Sequence, residues 1–244
     1  MKRFQRLLTI SAAVTALVVA TVPVGASAAA ARVEVGGGEL TLVHGIPGEG
    51  DFPVDITVTG RFFGFSQTLE GVTFGTVAEV AVPFDRYSVA IRAAGADPTS
   101  RPVLKTRTWV GFRDKAVVAH LDGEGSPMIS KFDNTTVLLY NGRAQVTVRH
   151  VAAAPAVDVI ANDALTLIDG LSNPGQAKVR VEAGTYNVKV AADADNNVVV
   201  FDADLTFASG TNTIIYAVGS LAGESFTPLV QVKNALYTVG RAPR

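Results

Sequence analysis

The chain has 244 residues, of which 48% are apolar and 18% charged, and its formal net charge is −1. That composition supports a packed core and argues against disorder, and it shows no basic excess of the kind that marks a nucleic-acid or anionic-membrane binder. There is no cysteine, which excludes a disulfide, a Cys nucleophile, a Cys-based metal site and a lipoprotein anchor.

Residues 1–28 read as a secretory signal peptide. Lys2, Arg3 and Arg6 precede an apolar run from Leu7 to about Val22. Pro23 and Gly25 break the run, and Ala26-Ser27-Ala28 places small side chains at the −3 and −1 positions. Cleavage is expected after Ala28, with Ala30 the alternative. A retained anchor is the competing reading, but the run is shorter than the roughly 20 residues a spanning helix needs. The mature chain is therefore expected to carry no transmembrane segment and to be secreted, free or held non-covalently in the cell envelope.

Short alternating runs follow, broken by Gly, Pro, Asp and Asn, which is the all-β pattern. Val54, Ile56 and Val58 alternate with Asp55, Thr57 and Thr59. Tyr87, Val89 and Ile91 alternate with Ser88, Ala90 and Arg92. Later, Val146 and Val148, then Tyr186, Val188 and Val190, repeat the arrangement. Each run is expected to bury one face and wet the other.

The pattern occurs twice. LTLVHGIPGEGDFPVDITV opens one unit and VTVRHVAAAPAVDVIA the other, pairing His44 with His150 and Asp55 with Asp158. VPFDRYSVAI and VEAGTYNVKV pair Tyr87 with Tyr186. The expected organisation is a first sandwich over 38–133, a docked linker over 134–143, a second sandwich over 144–233 and a tail over 234–244. A single closed barrel is the competing architecture, and the duplication argues against it.

These motifs, with VAVPFDRYSVAIRAAGADP and VVAHLDGEGSPMISKF in the first unit and GTNTIIYAVGSLAG in the second, resemble the bacterial DUF4397 family in two tandem copies. The second copy resembles it more closely. In the first copy, Pro83-Phe84-Asp85-Arg86 departs from the Ala-Gly turn usual before the Tyr. The resemblance implies two antiparallel immunoglobulin-like or transthyretin-like β-sandwiches, secreted or envelope-associated, with no established catalytic residues.

Candidate chemistry is sparse. His44 and His150 could titrate or bind a metal beside Asp55 or Asp158, but a strand-end His more often bonds nearby backbone. The two Asp side chains are expected on a wet face or on the N–H groups of an adjoining loop. Asp193, Asp195, Asn197 and Asp204 partly match a calcium loop. Val198 stands where that loop wants Gly, however, and a hairpin turn explains the same residues, so no metal and no cofactor are assigned. Tyr87 and Tyr186 are expected to pack inside a corner and bond the backbone.

Phe62, Phe63 and Phe65 occur only in the first unit and would make a binding patch if exposed. Trp109 is either an exposed anchor or packed in the core or domain interface. Asn134-Thr135-Thr136 fits a glycosylation sequon that is discounted for a bacterial route. No nucleophile elbow, P-loop, zincin or dinucleotide motif is present. The expected function is a non-enzymatic binding or scaffolding module for an envelope component, protein or glycan. The alternatives are a secreted hydrolase or metal-dependent enzyme using His44 and Asp55, or a mechanical spacer.

Overall fold

The computed structural model describes residues 37–48, 52–191 and 198–240. The proposed signal segment, Asp193, Asp195, Asn197 and the last four residues of the tail lie outside them. Every regular element among the described residues is a strand. None of these residues forms a helix long and apolar enough to cross a membrane.

The first half begins with β1 (Gly37–Gly45), β2 (Val54–Gly60), β3 (Ser66–Val72) and β4 (Val77–Pro83). It continues through β5 (Asp85–Ala93), β6 (Leu104–Val110), β7 (Lys115–Leu121) and β8 (Pro127–Asp133). These eight strands form two four-stranded sheets, ordered β4-β1-β7-β8 and β3-β2-β5-β6. A short β9 (Leu138–Tyr140) leads to β10 (Arg143–His150), β11 (Val157–Ala161), β12 (Leu165–Leu171) and β13 (Gly175–Glu182). Then come β14 (Gly184–Ala191), β15 (Val199–Phe207), β16 (Thr211–Val218) and β17 (Thr227–Asn234). Their sheets, β13-β10-β16-β17 and β12-β11-β14-β15, repeat the order of the first half. The final β18 (Tyr237–Val239) pairs in parallel with β9, tying the C-terminal segment to the connection between the halves.

Each half is a sandwich because alternate side chains of its two sheets meet. Leu40, Leu42, Val80, Val82 and Val117 of one sheet pack on Ile56, Val58, Tyr87, Val89 and Ile91 of the other. Val146, Val148 and Ile215 meet Val157, Val159, Val188, Val190 and Phe207 in the second half.

Two features differ from the sequence expectation. First, the sheets are not wholly antiparallel: β1 runs parallel to β7, and β10 to β16. Five strands lie between the members of each pair, so the chain has length enough to return in the same direction. Second, β1, β7, β10 and β16 have no wet face. Their outward side chains, among them Val43, Ala116, Val118, Ile214, Tyr216 and Val218, form a third apolar cluster between the halves. The molecule is thus four layers thick, and its two middle sheets are buried on both sides.

Polar groups cross that middle contact. Arg149 is fully buried. It donates to Asn134 Oδ1 and to Tyr216 Oη at 2.7 Å each, to Gln176 Oε1 at 2.9 Å and to the Asp133 carbonyl at 3.0 Å. Gln231 of β17 donates to Thr41 of β1 at 3.0 Å and also to Glu79 of β4. Lys233 pairs with Glu39. Fully paired buried polar groups of this kind fix one docking geometry where apolar contact alone would permit several.

Candidate functional site

The repeated residues come first, because their geometry shows what they do. The Asp55 carboxylate accepts the N–H of Gly71 at 2.9 Å and that of Gly95 at 2.8 Å. Asp158 accepts the N–H of Gly170 at 2.6 Å. Each Asp sits at a bulge: the ladder shifts register between Val54 and Ile56 against β3, and between Val157 and Val159 against β12. Gly71 and Gly170, the bonded glycines at the bulges, have φ of 63° and 61°, in the left-handed region where a side chain is strained. Of the two homes expected for these carboxylates, the structure has the backbone one. Tyr87 donates to the Pro83 carbonyl at 2.6 Å and Tyr186 to the Glu182 carbonyl at 3.0 Å, the same four-residue corner in both halves. Burial, and then the Asp85 charge, push the Tyr87 phenol up to about 12.

His44 and His150 end equivalent strands and are buried, as is His120 on β7. His150 Nε2 lies 2.7 Å from the Pro155 carbonyl. His120 bridges the Leu121 carbonyl at 2.7 Å and Ser130 Oγ at 2.8 Å. Burial lowers all three below the ordinary imidazole range. His44 and Asp55 are not brought together: both Asp55 oxygens are engaged by glycine N–H groups. Among the described residues, no group of three or more His, Cys, Asp or Glu is placed to hold a metal. Of the calcium-loop candidates only Asp204 is described. It lies on β15 and accepts a bond from Asn187 Nδ2 at 3.3 Å.

The aromatic candidates behave differently. β2 and β3 are joined by Arg61 to Phe65, and the turn is held from inside by Asp85. This fully buried carboxylate accepts the N–H of Phe62 at 2.8 Å and of Phe63 at 3.2 Å. The two rings are left 62% and 56% exposed. Phe65 turns inward instead, edge-on to Tyr87 with ring centroids 5.7 Å apart, so it is no part of an outer patch. Trp109 is 53% exposed, opposite Arg86 on the outer face of its sheet, and so is packed neither in the core nor between the halves.

Sequence reasoning missed Phe112, which is 86% exposed, and its neighbour Phe84 at a centroid distance of 4.8 Å. The signal was present: Phe112 stands in the turn Gly111-Phe-Arg-Asp114, where an apolar side chain has no strand to bury it. The register brings all of these to one end of the first half, since β2, β4 and β6 finish there and β3, β5 and β7 begin. Among the described residues the second half has no equivalent cluster of exposed Phe or Trp side chains. Its matching hairpin turns through Asn162 and Asp163, both with positive φ. A groove of about 350 Å³ lined by Arg143, Leu167, Val179, Arg180 and Tyr186 lies in that second half.

A chain of paired four-stranded sheets, whose motif-bearing Asp and Tyr residues serve the scaffold, defines an all-β domain protein with no recognisable reaction centre among its described residues. The family model for the domain of unknown function DUF4397 matches residues 38–160, and the chain belongs to that family. The match covers the first half and ends in β11. The second half, whose motifs were expected to resemble the family more closely, lies mostly outside it. Comparison with curated proteins gave no match. Among solved structures, the Bacillus anthracis TIE protein is similar at 12% identity with a TM-score of 0.24, over 84% of this chain and 33% of that one. This chain therefore spans about a third of that protein's length.

Proposed function

We propose that this is an exported, non-enzymatic binding or scaffolding protein of the cell envelope, built from two tandem sandwiches of the transthyretin-like order. The strand order supports that assignment over the immunoglobulin-like one, because β1 lies beside β7 in parallel and each sheet has four strands. The aromatic end of the first half is the binding surface, and the second half packs along the flank of that half.

One observation carries the reading: Phe62, Phe63, Trp109 and Phe112 are all more than half exposed at a single end. A buried carboxylate is spent on holding two of them outward. Exposed apolar groups on this scale mark interaction surfaces. The repeated Asp and Tyr residues and His150 are engaged in scaffold contacts, which favours binding over hydrolysis.

Retention on immobilised envelope extract tests it. The secreted protein should be retained, and Phe63→Ser, Phe112→Ser or Trp109→Ala should each weaken retention without altering thermal stability. Unchanged retention in all three variants removes the surface.

A further inference from the structure

The charges around the exposed rings extend that reading. The chain as a whole is near neutral, but at the aromatic end the opposite charges are segregated. The cations point outward: Arg61, whose guanidinium lies 5.2 Å from the centroid of the Phe62 ring, with Arg86 and Arg107, both exposed and flanking Trp109. The carboxylates are spent. Asp85 is buried on the N–H groups of Phe62 and Phe63. Asp114 accepts the Glu39 N–H at 2.8 Å. Asp133 is held by Lys115 at 3.2 Å and by Arg113 at 3.4 Å. At the opposite end of this half Asp97, Asp122 and Glu124 stand with Arg92 and Arg101, and the excess there is acidic.

We propose that the aromatic end of the first half docks on an anionic lipid bilayer. This rests on the reading of that end as the binding surface, and names what it binds. Phe62 and Phe63 stand on one loop and Phe112 on another, with Trp109 on the outer face of the adjoining strand, a projecting arrangement, whereas a sugar or small molecule is usually taken into a concavity with convergent polar groups. Phe and Trp side chains gain by entering the headgroup and upper acyl region, and neighbouring arginines reach the phosphates while their stems stay with the apolar groups. Docking this way leaves the acidic end facing away from the membrane, with the second half beside the first.

The chain contains one Trp, and it lies in this patch, so its emission reports docking directly. The secreted form is mixed with vesicles of phosphatidylglycerol and phosphatidylcholine, or of phosphatidylcholine alone, and followed by Trp emission and co-sedimentation. Anionic vesicles should shift the emission to the blue and sediment the protein. Phosphatidylcholine alone should do so much less, and binding should weaken with added salt. The double change Phe62→Ser with Phe63→Ser, and separately Phe112→Ser, should lower partitioning by about tenfold or more. Arg61→Glu with Arg86→Glu should remove the preference for anionic lipid. Val103→Ser, exposed at the other end, should change nothing.

The proposal is overturned by absence of sedimentation on anionic vesicles, or by sedimentation equal in every variant. Retention on lipid-extracted envelope material, lost in the Phe variants but without vesicle binding, would keep the aromatic end as the surface. It would transfer the partner to a protein or glycan.

Discussion

Arg149 Nη1 lies 2.7 Å from Asn134 Oδ1, and this contact joins the first strand of the second half to the segment leaving the first. Asn134 Nδ2 in turn donates to Thr41 of β1 at 2.8 Å. The guanidinium is also held between rings, 4.6 Å from the centroid of Phe132 and 5.0 Å from that of Tyr216. Its acceptors are all neutral oxygens, so burial lowers its proton affinity below the ordinary guanidinium value. Removing the side chain with Arg149→Ala strands several buried acceptors and opens a cavity, and should cost about 3–5 kcal/mol. Arg149→Lys should recover little of that, since an ammonium cannot reproduce the planar fork. Arg149→Met, which fills the space without a charge to solvate, should be the mildest of the three. Urea unfolding ranks them, and limited proteolysis shows whether Arg149→Ala separates the halves. Equal stability across the series would refute the account. Asn134 is also 1% exposed, so its sequon is not accessible in the folded chain.

Asp85 is the second buried charge with a definable task. It serves the N–H groups of Phe62 and Phe63 together with that of Arg86 at 2.6 Å. Asp85→Ala leaves those donors unpaired and should destabilise the first half by about 2–3 kcal/mol. Asp85→Asn keeps an acceptor oxygen and should cost less. Amide exchange distinguishes the roles: the Phe62 and Phe63 amides should lose protection in Asp85→Ala well beyond the change in global stability. A uniform loss across the sheet would show that Asp85 supports the core and not the loop.

The paired bulges offer an internal control. Cβ atoms added at Gly71 and Gly170 would meet nothing within 4 Å, so Gly71→Ala and Gly170→Ala report backbone strain alone. Each should cost about 1 kcal/mol. Among the described residues Asp55 serves two glycine N–H groups and Asp158 one, so Asp55→Ala should cost more than Asp158→Ala. Combining changes from the two halves should give additive losses, since no partner is shared. Reversal of the Asp order would mean that bond count is not what sets the cost.

Alternation and the duplicated motifs made the all-β class readable from the sequence, because period-two patterning is a local property. The Asp and Tyr equivalences were readable for the same reason, each lying at a fixed offset from a strand. The docking of the halves was not. Thr41, Thr147 and Arg149 look like wet-face residues in their own strands, and only the apposition of two sheets buries them. Phe62 and Phe63 could be named as a cluster, but Phe65 separated from them because strand parity resumes one residue past Gly64 and turns its ring onto Tyr87. Trp109 could not be placed without knowing that β6 is an edge strand.

The three histidines make a prediction about pH. All are buried, and burial is the largest cause lowering each one. For His44, the Phe52 backbone is close enough to weigh against that depression, yet neither ring nitrogen reaches a partner among the described residues. With folded values below the ordinary value of about 6.5, the unfolded chain takes up protons first as pH falls. Stability should therefore be complete above about pH 6.5 and decline below it, by up to about 1.4 kcal/mol per pH unit for each histidine, until the folded values are reached. Glu39, raised from 4.5 chiefly by burial, acts in the opposite sense at lower pH, so the comparison that isolates the imidazole is between the protein and a single variant. Among the described residues His44→Leu strands no hydrogen-bond partner, and it keeps most of the volume. It should match the unaltered protein to within about 1.5 kcal/mol at pH 7.5 and fall less steeply between pH 6.5 and 5 in urea titrations. Parallel stability curves for the two proteins across that interval would show that His44 stays uncharged in both states or charges equally in both, and would remove it as a source of acid sensitivity.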